Sequence, residues 1–345
     1  MIKTQKIKNL IILLCLVVVL SSIGIFSNHI NSLLYSKLFY QGKIVSSYNS
    51  LMVHFISVGQ GDAIAINLPD GKVVLIDTGL TSSNVGYTDY IKNKVLNIDD
   101  DKKIDYLILT HADTDHTGGA MRLIQEFDVE NVVLPVIEGE TDYYENLLNY
   151  IEINEISCVH IENIEIFNEN YDFDFYIGEN SLSTNEMSYV IKLACFDKSF
   201  LFTGDISSTI EMQLIEKYGN ELDADILKVA HHGSKYSSCD EFLEVVSPDI
   251  SVISCGANSY GHPTTEAITN ILESGSSFLY RTDKDGNVLI AVGNNYSADV
   301  LCGEFKTIRM SFNIESFITI VNFVFLYNSI IIFFKKEKRR KSTKR

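Results

Sequence analysis

The stretch Leu109–Gly119, "LTHADTDHTGG", decides how the chain is read. Two histidines and two aspartates (His111, Asp113, Asp115 and His116) fall within six positions, directly after an apolar run. Imidazoles and carboxylates crowd together in this way where metal ions or protons are held. The plain alternative is an acidic, solvated turn. Gly118 and Gly119 let the loop turn tightly into a following helix. Positions 111 and 113 can face one way and positions 115 and 116 another, which allows two neighbouring ions, one for each pair.

Outward from this loop, β-branched and apolar runs alternate with turn signals. "LMVHFISVG" and "AIAINLP" read as strands separated by "QGD", and "GKVVLIDTG" as a third strand after the turn "PDG". "KIDYLILT" is the strand that delivers the cluster. "GGAMRLIQEF" has helical spacing, and "NVVLPVI" returns to strand. The acidic stretch 142–186 carries no assigned element. Beyond it, "SYVIKLACF" and "SFLFTGD" read as a hairpin, "STIEMQLIEKYG" and "CDEFLEVVS" as helices, and "ADILKVAHHG" and "DISVISCG" as strands. A last pair of strands, "SFLYRTD" and "NVLIAVG", flanks "KDG". Strands first and strand–helix alternation later indicate an α/β class with sheets covered by helices.

Ligand-type residues recur at strand ends. Asp77, His111, Asp205 and His231 each lie at or just beyond the C-terminal end of an expected strand, where α/β folds assemble their sites. "LFTGD" presents Asp205 as a carboxylate able to bridge two ions. "LKVAHHGSKYSS" adds His231 and His232, a pair that is expensive as mere packing because buried imidazoles need partners.

Composition bounds the surroundings. The 345 residues carry 28 basic and 45 acidic side chains, a net charge of −17. Lys3, Lys6 and Lys8 precede the apolar run Leu10–Phe26, and the tail "KKEKRRKSTKR" (335–345) follows a second run, Phe317–Phe334. Setting these ends aside leaves 17 basic and 44 acidic residues, net −27, so contact with a polyanion needs a local basic patch or metal ions. The sequence is expected to divide into an N-terminal transmembrane or signal anchor (1–30), a linker (31–50), a catalytic domain (51–305), a C-terminal transmembrane helix (313–334) and a basic tail (335–345). A cleaved signal peptide is the rival for the first segment, and a buried core helix for the fourth. Basic residues on the outer flanks place both termini in the cytoplasm and the acidic domain outside the cell membrane. Cys158, Cys195, Cys239, Cys255 and Cys302 show no metal-ligand spacing and read as free, mostly buried thiols.

Taken together, "HFISVGQGDAIAI", "VVLIDTG", "LTHADTDHTGG", "FLFTGD", "ILKVAHHGSKYSS" and "SCGANSYGHP" resemble the metallo-β-lactamase fold. More narrowly, they resemble the extracellular β-lactamase-like domain of the ComEC/Rec2 competence proteins. The resemblance covers residues 54–263 and not the multi-helix channel of that family. It implies an αββα sandwich with two divalent metal ions, zinc or manganese, and no organic cofactor. Carried onto this sequence, the ligands become His111, Asp113, Asp115, His116, Asp205 and His231. Asp77 organises loops beneath the metals, Asp62 sits at the rim or caps its own loop, and His232 is a second ligand or a proton donor. Lys235 and His262 contact a substrate phosphate. Two departures stand out. Asp113 occupies a position that is histidine in the general HxHxDH pattern. The fold's further histidine is also missing: His160 is its one candidate, and "TNEMSYVIKL", with Asn185 and Ser188, stands in its place. The oxygen-rich first site favours Mn²⁺ or Mg²⁺ over an assured Zn²⁺. The reaction expected is phosphodiester hydrolysis, of DNA or an envelope phosphodiester, by a metal-activated hydroxide that Asp115 positions, with His232 protonating the leaving oxygen. A hydrolase of a neutral ester, amide or lactone is the second reading, and a membrane-tethered binding or assembly protein with an inactive site is the third.

Overall fold

The computed structural model describes residues 50–302, apart from 82–83, 97–102, 162–163, 165, 180 and 294–297. The apolar runs Leu10–Phe26 and Phe317–Phe334, the linker up to residue 49 and the basic tail lie outside the described residues. Among the described residues, no helix is long and apolar enough to cross a membrane.

Strands β1 (Ser50–Phe55), β2 (Ile64–Asn67), β3 (Val73–Ile76), β4 (Lys103–Ile108), β5 (Asp128–Val133) and β6 (Ser157–Cys158) belong to one sheet. The second sheet takes β7 (Tyr171–Tyr176), β8 (Val190–Cys195), β9 (Lys198–Phe202), β10 (Ile226–Lys228), β11 (Ile250–Ile253) and β12 (Phe278–Arg281). The chain then returns to the first sheet with β13 (Val288–Gly293) and β14 (Ala298–Cys302), giving the order β14-β13-β1-β2-β3-β4-β5-β6 beside β12-β11-β10-β9-β8-β7. The expected final pair of strands, flanking "KDG", is present and divided between the two sheets. β12 and β13 sit in different sheets, and the short helix Thr282–Asp285 with Gly286 carries the chain between them.

The strands read as continuous apolar runs because both of their faces are buried. Alternate residues of β3 show this: Val73 and Leu75 pack in a cluster with Tyr87, Ile91, Leu123 and Leu147 from the covering helices. On the opposite face the sheets meet each other, with the rings of Phe55 and Phe202 6.1 Å apart. Helices Ser208–Tyr218, Asp240–Val246 and Thr265–Glu273 cover the second sheet through Ile210, Leu214, Phe242, Leu243 and Ile271. Helix, sheet, sheet, helix is the α/β sandwich.

Several elements in the acidic and polar stretches had no sequence assignment. Helix Asp142–Ile153 buries Tyr144, Leu147 and Ile151 on one face, and Thr141 caps it by accepting from the Tyr144 amide. β7, "YDFDFY", pairs antiparallel with β8, burying Tyr171 and Phe173 and exposing Asp172 and Asp174. Acidic residues on the solvent face hid both patterns.

The parallel ladders β3–β4–β5 and β9–β10–β11–β12 aim their C-terminal ends at one edge of the sandwich. Three loops are laced together there. The Asp62 amide donates to the Asp115 carbonyl, Thr78 donates to the His116 carbonyl, and the Gly79 amide donates to the Asp62 carbonyl. Gly61, at φ +122°, is required at this crossing: a Cβ would strike the Asp115 carbonyl oxygen.

His54 of β1 is a buried histidine that contacts Tyr90 Oη at 2.9 Å and Asn67 Oδ1 at 3.2 Å. Burial lowers it to about 4. Between pH 6.5 and 4 the unfolded chain takes up this proton and the folded chain does not, so stability falls as pH falls. In urea unfolding, the stability advantage of the wild type over His54→Gln should shrink by about 3 kcal/mol across that window, whereas an unchanged difference would place the imidazole in water.

Candidate metal centre

Each strand end delivers one part of the centre. Asp77 follows β3, His111 follows β4, Asp205 follows β9, the His231–His232 pair follows β10, and Ser254 follows β11. Asp77 is fully buried and accepts from the Thr110 amide (2.8 Å), from Thr110 Oγ1 (2.7 Å) and from His116 Nδ1 (2.7 Å). Because Thr110 Oγ1 spends its proton on Asp77, it accepts from His111 Nδ1, 3.1 Å away. His232 Nδ1 donates to the Ser254 carbonyl at 2.9 Å.

Three histidines thus have Nδ1 tied to the protein and Nε2 turned inward, as in imidazoles that are oriented from behind to face a metal. The Nε2 atoms of His111, His116 and His232 are all buried without a hydrogen-bond partner, as is Asp205 Oδ1. They converge: His116 Nε2 is 3.3 Å from Asp205 Oδ1, and His232 Nε2 is 3.2 Å from Asp205 Oδ2 and 3.3 Å from Asp115 Oδ2. Orphaned buried nitrogens beside carboxylate oxygens are what a divalent cation would satisfy, so this donor set fits the metal that the sequence resemblance implies.

Two further carboxylates beside the histidines, Asp62 and Asp115, face opposite sides of the rings. Asp62, His116, Asp205 and His232 each bring a ligand-type atom within 4.8 Å of the others. Yet Asp62 faces the Nδ1 side of the imidazoles, 3.8 Å from His116 Nδ1 and 3.5 Å from His232 Nδ1, and pairs with Lys228 Nζ. Asp115, its side chain 24% exposed, is on the Nε2 side. Asp115 therefore lies on the side where the unpartnered Nε2 atoms converge, and Asp62 lies behind the histidines. Rather than at the rim, Asp62 is almost fully buried.

Lys228 is the residue that the sequence reading passed over. It lies in β10 with its ammonium buried, donating to the Gly204 carbonyl at 2.9 Å and reaching Asp205 Oδ1 at 3.8 Å besides pairing with Asp62. A lysine inside "DILKVA" was the one available signal, since a charge in a strand buried on both faces must meet its counter-charge.

The electrostatics follow from these contacts. Burial alone would lower His116 and His232, but the charges of Asp205 and its neighbours outweigh it and raise both well above 6.5. Burial would raise Asp205, and His232 and His116 instead hold it well below the carboxylate range. Burial would raise Asp62 too, and the Lys228 charge, with those of His116 and His232, lowers it instead. His111 is lowered by burial and by the neighbouring His116. The cluster is one that demands cations.

The remaining sequence candidates occupy the periphery. Asp113 Oδ2 lies 4.0 Å from His111 Nε2, while its Oδ1 accepts from Thr184 at 2.8 Å. His231 stays at the rim, its side chain 32% exposed and Nε2 3.9 Å from Asp205 Oδ2. Its ring meets His262 at 5.4 Å. Lys235 is exposed, its Nζ 4.8 Å over the Tyr236 ring. Ser188 is buried, its Oγ accepting from the Asp205 amide and donating to the Asn185 carbonyl. His160 is exposed beyond β6 and joins no ligand-type cluster among the described residues. His231 and His232 both adopt left-handed backbone, φ +48° and +54°, which costs about 1–3 kcal/mol per residue and needs surroundings that over-determine it. The His231 amide's bond to the Gly204 carbonyl and the Ser254 anchor supply them.

A family profile described as the Metallo-beta-lactamase superfamily matches residues 56–257. The chain is similar to the ComE operon protein 3 of Bacillus subtilis, 29% identical over 252 residues, covering 68% of this chain and 32% of that one. It is also similar to Competence protein ComA of Neisseria gonorrhoeae (29% over 251 residues, 71% of this chain and 33% of that one). A third relative is Recombination protein 2 of Haemophilus influenzae (27% over 211 residues, 59% and 24%). The chain spans about a third or less of the length of these relatives.

The Lys228–Asp62 pair gives a direct test of the buried charge balance. Lys228→Met leaves Asp62 buried without its cation and should cost about 3–5 kcal/mol in urea unfolding of the metal-free chain. The double variant Lys228→Met, Asp62→Asn should lose clearly less than the sum of the single losses, and strict additivity would mean that the two groups do not interact.

Proposed function

The chain belongs to the metallo-β-lactamase superfamily, a metal-dependent hydrolase fold, and from that premise we propose that it is a phosphodiesterase of the ComEC-like type. The observation that carries this reading is the convergence of His116 Nε2, His232 Nε2, Asp205 and Asp115 on one space at the sandwich edge. His116, His232, Asp115 and Asp205 would hold one divalent ion, and His111 with Asp113 would contribute to a second. Bound there, such ions lower the pKa of a water toward neutrality and draw charge from a phosphoryl oxygen.

The chain's own side chains do the remaining work. Asp77, Thr110 and Ser254 fix which imidazole nitrogen faces the reaction, so no reorganisation is required when substrate arrives. Asp115 is the partly exposed carboxylate of the group, placed to accept a hydrogen bond from the attacking water and align it. His231 and His262 at the rim offer N–H groups to phosphate oxygens, and Lys235 adds a positive charge nearby. Of the two roles open for His232, its anchored Nδ1 and buried Nε2 favour the ligand over the proton donor.

A phosphodiester is preferred to a neutral ester for two reasons. Asp113 makes the His111 site oxygen-rich, and two of the relatives carry competence and recombination in their names. The domain is proposed to work outside the membrane, tethered by the flanking apolar runs, with DNA as its candidate substrate.

The test uses the full-length chain loaded with Mn²⁺ or Zn²⁺ and offered a bis-aryl phosphodiester, single-stranded DNA and an aryl ester. Phosphodiester turnover should disappear with chelator, return with metal, and fall more than about 100-fold in kcat/KM in Asp115→Ala, beyond the loss typical of an outer-shell change. Esterase activity alone would favour the neutral-substrate reading, and tight metal binding with no turnover a binding protein.

A further inference from the structure

A line of rings runs outward from the buried centre. The His232 ring lies 6.2 Å from His231, His231 lies 5.4 Å from His262, and His262 lies 5.9 Å from Tyr260 at a tilt of 32°. Exposure climbs along it, from 2% at the His232 side chain and 32% at His231 to 74% at Tyr260. The loop that follows His231–His232 presents another exposed ring, Tyr236, at 66%. Lys235 Nζ stands 4.8 Å over that ring.

Exposed tyrosines are ordinary when they sit on loose loops; these do not. The Tyr260 loop has no regular structure, yet the Asn258 side chain braces it throughout. Asn258 Oδ1 accepts from the Tyr260 amide (3.0 Å) and the His262 amide (3.1 Å). Its Nδ2 donates to the His262 carbonyl (2.6 Å), the Gly256 carbonyl (2.9 Å) and Gln60 Oε1 (3.2 Å). Tyr236 is fixed by its amide to Ser234 Oγ and by its carbonyl, which accepts from the Ser208 amide at 2.7 Å. The backbone that carries both exposed rings is thus ordered before any ligand arrives, with Tyr260 beside His262 and Tyr236 carrying Lys235 over one face.

We propose that Tyr260, together with Tyr236, forms a stacking subsite for the bases of single-stranded nucleic acid whose backbone phosphate reaches the metal centre. The proposal rests on the phosphodiesterase reading and deepens it. The charge balance explains the need: a domain this acidic gains little from long-range attraction to a polyanion, whereas stacking draws on ring contact and desolvation and is indifferent to sequence. Every base has a face for these rings, so the subsite would favour single strands, whose bases are unpaired, over duplex.

The experiment compares a short single-stranded oligonucleotide with the same strand made abasic, identical in phosphates but lacking rings, on the full-length metal-loaded chain. The wild type should show a KM about tenfold lower per stacked ring for the base-bearing strand. Tyr260→Ala should raise that KM about tenfold with kcat nearly unchanged, Tyr260→Phe should retain the wild-type value, and the abasic strand should not distinguish the variants. Equal KM values for both strands in the wild type, or an equal loss on the abasic strand in Tyr260→Ala, would overturn the subsite. If neither strand is cleaved the hydrolytic reading fails, and fluorescence anisotropy of the labelled strands then decides stacking independently. Tighter base-dependent binding lost in Tyr260→Ala upholds it, and ring-independent binding removes it.

Discussion

The constraint on which the structure depends is the burial of three carboxylates, Asp62, Asp77 and Asp205, at the edge where the two sheets end. Uncompensated, each would cost several kcal/mol in a medium of low dielectric. Each has its own compensation. His116 and Thr110 hold Asp77, Lys228 holds Asp62, and Asp205 faces the Nε2 atoms of His116 and His232. The last arrangement leaves the Nε2 atoms of His116 and His232 and Asp205 Oδ1 without hydrogen-bond partners, and they point at one space. The left-handed turn at His231–His232, the crossing at Gly61 and the Ser188 bond to the Asp205 amide each serve to keep that space formed.

Much of this was legible in the sequence because the sandwich buries both faces of its central strands. Runs such as "VVLID" and "FLFTGD" announce themselves without periodicity, and the residue that ends each run is delivered to the common edge. The short cluster His111–His116 could therefore be joined to Asp205 and His231–His232 across more than a hundred residues. Helix Asp142–Ile153 and strand β7 escaped for the opposite reason. Each has one buried face, and the acidic residues on the other face dominated the composition of the stretch.

At the site, sequence order identified the right neighbourhood but not depth. Which of two adjacent histidines turns inward depends on the backbone twist at Ala230–Gly233 and on the Ser254 carbonyl from the next strand, neither of which is written in "AHHG". Asp62 read as a rim residue because glycines surround it, and its burial follows only from the packing of its loop against the Asp115 carbonyl. Lys228 was passed over, despite its place in an apolar run, because lysine in a short strand ordinarily points to water. The carboxylate that neutralises it lies 166 positions earlier in the chain, in another sheet's loop.

Under the proposed function the centre receives a divalent cation, with the Nδ1 atoms of its histidines held from behind by Asp77, Thr110 and Ser254. The most direct test is diffraction from crystals of the full-length chain soaked with Mn²⁺ or Zn²⁺, with the ions located by anomalous scattering. The account predicts an ion within about 2.0–2.3 Å of His116 Nε2, His232 Nε2 and an Asp205 oxygen, with Lys228 still on Asp62 behind them. Ions bound only at exposed carboxylates, or a His116–His232–Asp205 space that stays closed at saturating metal, would contradict it.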